Sequence, residues 1–152
     1  MTVAYVSSAV NIAHPNCVQA GIATYFGPGD IRNFCGKLGG SQQSSQRADI
    51  ESIRRAVIRF KDLTPDLSSE STLIVRCKSE QAIEFISSCR AQLSGDLTDG
   101  LYIPNDAMDN AVMAAKEIIN ANFNVQLEHI PTQSHMVGIE MANSKASIIA
   151  SR

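Results

Sequence analysis

A chain of 152 residues with 44% hydrophobic and 18% charged side chains suits one domain, residues 1–152, that buries a sizeable core. A pI near 5.9, no tryptophan and only 5% aromatic residues argue against a broadly basic, stacking nucleic-acid binder, and no apolar run is long enough to span a membrane. Charge is nevertheless segregated, with +4 on residues 1–61 and −6 on the remainder, a distribution able to steer a charged partner.

The opening Met1-Thr-Val-Ala-Tyr-Val lacks the basic and long apolar parts of a secretion signal, so the expectation is a soluble intracellular protein. Cys17, Cys35, Cys77 and Cys89 form no Cys-x-x-Cys pair and read as reduced, small apolar fillers.

Residues 2–8 alternate and carry β-branched and aromatic side chains, predicting a strand with Val3, Tyr5 and Ser7 on one face. A loop over 11–16, containing Pro15 and Asn16, leads to a second strand at 18–26, which the cluster Gly27-Pro28-Gly29-Asp30 ends. A third strand is expected at 31–38, followed by a loop at 39–43. The next segment, 45–61, is a helix whose buried stripe is Ile50, Ile53, Val57 and Phe60, with Arg55 and Arg59 on a solvated face and a Glu51–Arg55 pair. Pro65 closes it.

The apolar run 71–76 fits a buried strand parallel to the first. A helix at 79–90 takes Ser79 as N-cap and turns Ala82, Ile86 and Cys89 inward. After a loop at 94–100, Asn105 caps a helix reaching 121 with the stripe Met108, Val112, Ala115 and Ile119. A strand at 123–130, a loop at 131–137 and a helix at 138–151 complete the chain. The expected fold class is α/β, a mixed five-stranded sheet with three antiparallel and then parallel strands, flanked by helices.

Three stretches carry more than a fold. They are Gly21-Ile-Ala-Thr-Tyr-Phe-Gly-Pro-Gly-Asp30, then Gln46-Arg47-Ala48-Asp49, and Gly138-Ile-Glu140-Met-Ala142-Asn143. Together with the element order they resemble type 1 ribonuclease H of the eukaryotic cellular kind. The resemblance implies a ribonuclease H-like fold and, in the family, two magnesium ions held by four carboxylates that cleave the RNA of an RNA–DNA hybrid.

Carried over one at a time, those carboxylate positions fall on Ser7, Asp49, Lys78 and Asn143, and the family's mobile-loop histidine on Gln133. A set with a formal charge near zero is not expected to hold two divalent ions, so no metal and no cofactor are expected. In this reading Lys78 neutralises Asp49.

The resemblance therefore implies a catalytically degenerate member, not an enzyme, serving as a protein-interaction or assembly module in cytoplasm or nucleus. Its protein partner is unidentified, self-association is compatible with it, and no membrane is involved. One alternative is binding of an RNA–DNA hybrid or double-stranded RNA without cleavage through Ser45, Gln46, Arg47, Arg54, Arg55 and Lys78, with Arg59 extending the basic helix. Another is a weak metal-dependent ribonuclease using Asp49, Glu80 and His135. Met108, Met113, Met136 and Met141 read as plastic core, or as an adaptable docking surface should they be exposed.

Overall fold

The computed structural model describes residues 1–11, 19–40, 43–95, 105–131 and 137–151. Its strands are β1 (Thr2–Asn11), β2 (Gln19–Tyr25), β3 (Phe34–Lys37), β4 (Thr72–Cys77) and β5 (Asn124–His129). Its helices are α1 (Ser45–Leu63), α2 (Glu80–Leu93), α3 (Asn105–Ile119) and α4 (Val137–Ala150). The sheet order is β3-β2-β1-β4-β5, with β1, β2 and β3 antiparallel and β4 and β5 parallel to β1. This is the mixed sheet expected from the sequence, and the element order matches throughout.

Both faces of β1 are covered, which explains its composition. Ala4 and Val6 turn to the main core with Ile50, Ile53 and Val57 of α1 and Phe85 and Ile86 of α2, while Tyr5 and Ala9 pack with Ala142 and Ala146 of α4 on the other face. Strand alternation thus sends Ser7 towards α4 and Ser8 towards α1.

Helix α1 starts where Ser44 accepts a hydrogen bond from the Arg47 N–H at 3.2 Å, and all four residues of its expected stripe are buried. It ends at the cap Thr64, just before Pro65. Helix α2 begins as expected, with Ser79 accepting from the Ala82 N–H at 3.1 Å and Ala82, Ile86 and Cys89 buried.

Three expectations need correction. The third strand is four residues long, not eight, because polar side chains hold 30–33 in a turn. The Asp30 carboxylate accepts from the Arg32 backbone and guanidinium, while Asn33 accepts from the Phe26 N–H at 2.7 Å and donates to the Gly27 carbonyl at 2.7 Å.

The buried side of α3 is Ala107, Ala111, Ala114, Ala115 and Ile118, and Met108 and Ile119 are exposed. Small side chains let α3 pack closely against α1 and α2, so the bulky residues are displaced to its flank. Of the four methionines singled out, the three described ones likewise are not core, since Met108, Met113 and Met141 are 36%, 45% and 40% exposed.

Of the cysteines, Cys77 and Cys89 are buried fillers, but Cys35 on the edge strand is exposed. Cys17, Met136 and the loop at 12–16 lie outside the described residues. Among the described residues no helix is long and apolar enough to cross a membrane.

Candidate functional site

The parallel pair β1 and β4 ends beside the starts of two helices, and that junction forms a pocket of about 260 Å³. Ser7 and Ser8 enter from β1, Asp49 from the second turn of α1, Lys78 and Ser79 from the turn between β4 and α2, and Asn143 from α4. Four of the five positions singled out in the sequence, Ser7, Asp49, Lys78 and Asn143, therefore line one cavity. Gln133 and His135 lie outside the described residues, and Glu80, exposed on the first turn of α2, does not line the pocket.

Sequence reasoning missed Ser8 and Ser79. The Ser8 hydroxyl donates to Oδ1 of Asp49, and the Ser79 hydroxyl, which caps α2, lies near enough to the same carboxyl to favour its charged form. On the opposite wall Ser7 donates to Oδ1 of Asn143. The signal for Ser8 was available: on a strand covered on both faces, the residue after Ser7 must face α1, where Asp49 sits one turn into the helix.

Burial pushes the Asp49 carboxyl above its ordinary value, and the hydroxyl bonds from Ser8 and Ser79 act in the opposite sense. Lys78 forms no ion pair with Asp49, and the four salt bridges among the described residues lie elsewhere. In place of the expected neutralisation by Lys78, Asp49 accepts from the helix-facing Ser8, with the N-cap Ser79 beside it. Burial pushes the thiol of Cys77, which also lines the pocket, up to about 12, favouring its protonated form.

The donors present do not fit a magnesium pair. Magnesium takes anionic oxygen, yet the described pocket offers one carboxyl already accepting from Ser8, one amide oxygen already accepting from Ser7, and a lysine.

The basic side of α1 is not a solvated row, which corrects the expectation for it. The expected Glu51–Arg55 pair does form, at 3.6 Å, but the buried Glu51 also pairs with Arg54 at 2.7 Å. Arg55 and Arg59 lie over the Phe34 ring, 4.9 and 5.7 Å from its centroid, and Arg59 also donates to the Ile31 carbonyl at 2.8 Å. Arg47 donates to Asn110 at 3.0 Å and to the Gly39 carbonyl at 3.0 Å. Arg55 and Arg59 thus fasten α1 to β3, and Arg47 fastens it to α3. Ser45 is exposed and Gln46 half-buried at the start of α1, and neither lines the pocket.

No family model and no curated protein matches this chain. Solved structures do match, and the class they define is the ribonuclease H-like fold. RNase H1 from the halophilic archaeon Halobacterium salinarum NRC-1 superposes with a TM-score of 0.64 at 16% identity over 99% of this chain and 97% of that one. LC11-RNase H1 in complex with RNA/DNA hybrid gives 0.65 at 18% identity over 97% and 98%.

The foamy viral protease-reverse transcriptase in complex with RNA/DNA hybrid gives 0.73 at 12% identity over 98% of this chain, which spans only 20% of that protein. At such identities the likeness is one of fold.

Proposed function

We propose that this chain is a degenerate type 1 ribonuclease H-like domain, formed by residues 1–152, that does not cleave nucleic acid and serves as a protein-interaction or assembly module. The observation that carries this reading is the pocket, where the carboxyl of Asp49 sits among Ser7, Ser8, Ser79 and Asn143 with Lys78 beside it. Two-metal hydrolysis needs converging anionic oxygens, and that donor chemistry does not supply them.

The module half of the reading is supported by α4. One face packs on the sheet through Ala142 and Ala146, while Val137, Met141 and Ile148 recur four and seven residues apart on the outward face, Val137 71% and Ile148 52% exposed. The arginines of α1, being tied to Glu51, Phe34 and carbonyl groups, are poorly placed to track a phosphate backbone.

A second reading, binding of an RNA–DNA hybrid without cleavage, is favoured by Lys78, which has no ion-pair partner among the described residues. Two of the similar solved structures are described as complexes with RNA/DNA hybrid.

One experiment addresses the nuclease question: purified protein, labelled hybrid, and Mg²⁺ or Mn²⁺, with binding and cleavage recorded together. The expected result is an intact hybrid at every metal concentration. Cleavage that vanishes in Asp49→Ala would overturn the proposal and assign a rearranged metal site. Salt-sensitive binding of intact hybrid would establish the second reading in place of the first.

A further inference from the structure

We infer that the pocket at the end of β1 and β4 takes a phosphate oxyanion through Lys78 and the Asn143 amide, with no divalent cation required. The inference rests on the reading of this pocket as unsuited to a metal pair, and goes on to say what replaces one.

The argument starts from unspent donors. The Ser7 and Ser8 hydroxyl protons go to internal acceptors, Asn143 Oδ1 and Asp49 Oδ1, and the Ser79 hydroxyl is engaged as the α2 cap beside Asp49. Two groups remain. Lys78, half-buried at the pocket wall, forms no hydrogen bond or ion pair with the described residues.

Asn143 uses its oxygen on Ser7, which leaves both amide protons of Nδ2 without an acceptor among the described residues. An ammonium and an amide NH₂ that share a 260 Å³ cavity offer five N–H donors and one full positive charge to whatever enters. A tetrahedral oxyanion has the acceptors to match them, and a lysine serves phosphate as a point charge.

The walls reinforce this polarity. Helix α2 begins at Ser79, so its positive dipole end lies at the pocket. Among the described residues lining the pocket the one opposing charge is Asp49, whose carboxyl accepts from Ser8, while Glu80 on the first turn of α2 lies outside it. A site that family resemblance would give to cations thereby presents donors in this chain. Asp49 weakens anion binding, and Lys78 supplies it.

The test is titration of inorganic phosphate into the whole protein in EDTA, followed by amide NMR. Saturable shifts confined to Ser8, Lys78, Ser79 and Asn143 are expected. Lys78→Gln should weaken binding at least tenfold with an unchanged melting temperature, Lys78→Arg should largely restore it, and Asp49→Asn should tighten it. Sulfate in place of phosphate separates an oxyanion pocket, which takes both, from general ionic-strength effects, which chloride reproduces.

If chloride matches phosphate, or if no saturable shift occurs, the inference is wrong while the non-catalytic reading stands. Shifts that require Mg²⁺ would overturn both. Competition by a short RNA–DNA hybrid for the same shifts would support the inference and assign the phosphate to a nucleic-acid backbone, and failure to compete would support it with a small phosphorylated ligand.

Discussion

The hydroxyl of Ser8 on β1 donates to the carboxyl of Asp49 on α1, so the sheet and its first helix are joined at the pocket by a group that burial drives towards its neutral form. Because the folded carboxyl titrates above its ordinary unfolded value, there is a pH window between the two values. Within it the folded chain holds a proton that the unfolded chain has released. Stability present below the unfolded value is therefore lost as pH rises through the folded one. Asp49→Asn should remove that loss. Urea midpoints of variant and wild type are expected to converge near pH ~3 and to separate in favour of the variant near pH ~7. A variant less stable at neutral pH would show that ionised Asp49 contributes to the fold.

A second joint runs from α1 to α3. Asn110 accepts from Arg47 at 3.0 Å and donates to Glu51 at 3.2 Å, and Glu51 in turn pairs with Arg54. Glu51→Gln leaves Arg54 and Arg55 without their anion in a partly desolvated place and should cost about 2 kcal/mol. Asn110→Ala should cost about 1 kcal/mol, and the double variant less than the sum of the two. Chemical denaturation of the three variants checks this, and strict additivity would mean the chain of bonds is not coupled.

Gly138 sits where α4 crosses Tyr5, and a Cβ there would lie 2.2 Å from Cδ2 of the Tyr5 ring. Gly138→Ala should destabilise by about 1–3 kcal/mol through overpacking. Truncating the ring in Tyr5→Ala should recover part of that loss. Gly39, with nothing within 4 Å of its Cβ position, is the control, and Gly39→Ala should stay within about 0.5 kcal/mol of wild type. Thermal melts of the four proteins would decide it. Equal costs at both glycines would remove Tyr5 as the cause.

Much of this architecture is legible in the chain because period-two and period-3.6 patterns report burial directly, as in Ile50, Ile53, Val57 and Phe60. What was not legible depended on partners distant in sequence. Pattern reading favours bulky residues, so it placed Met108 and Ile119 in the core, whereas α3 is seated by alanines whose role appears only beside α1 and α2. The third strand was overread because Asp30 and Asn33 act through side-chain bonds that no alternation signals. The pocket positions Ser7, Asp49, Lys78 and Asn143 came from resemblance to a family motif, and their convergence is geometric. The pairing within the pocket was misjudged, since formal charge suggested Lys78 for Asp49 where hydroxyls from adjoining elements are nearer.

The convergence of those four positions makes a restoration variant informative. Ser7→Asp, Asp49→Glu, Lys78→Asp and Asn143→Asp together would place four carboxyls in one cavity and delete its lysine. Without metal, close carboxylates repel and the folded state must hold some of them protonated, so the variant should melt below wild type in EDTA at neutral pH. Added Mg²⁺ or Mn²⁺ binds only the folded arrangement and should raise the melting temperature with metal concentration, while wild type should not respond. Hybrid cleavage by the variant would show that the surrounding frame still seats a duplex. A variant stabilised by metal that leaves the hybrid intact would place the remaining defect in substrate contact, where the arginines of α1 are turned to Glu51 and Phe34. No metal response at all would mean that the strand and helix ends have drifted too far apart for shared coordination.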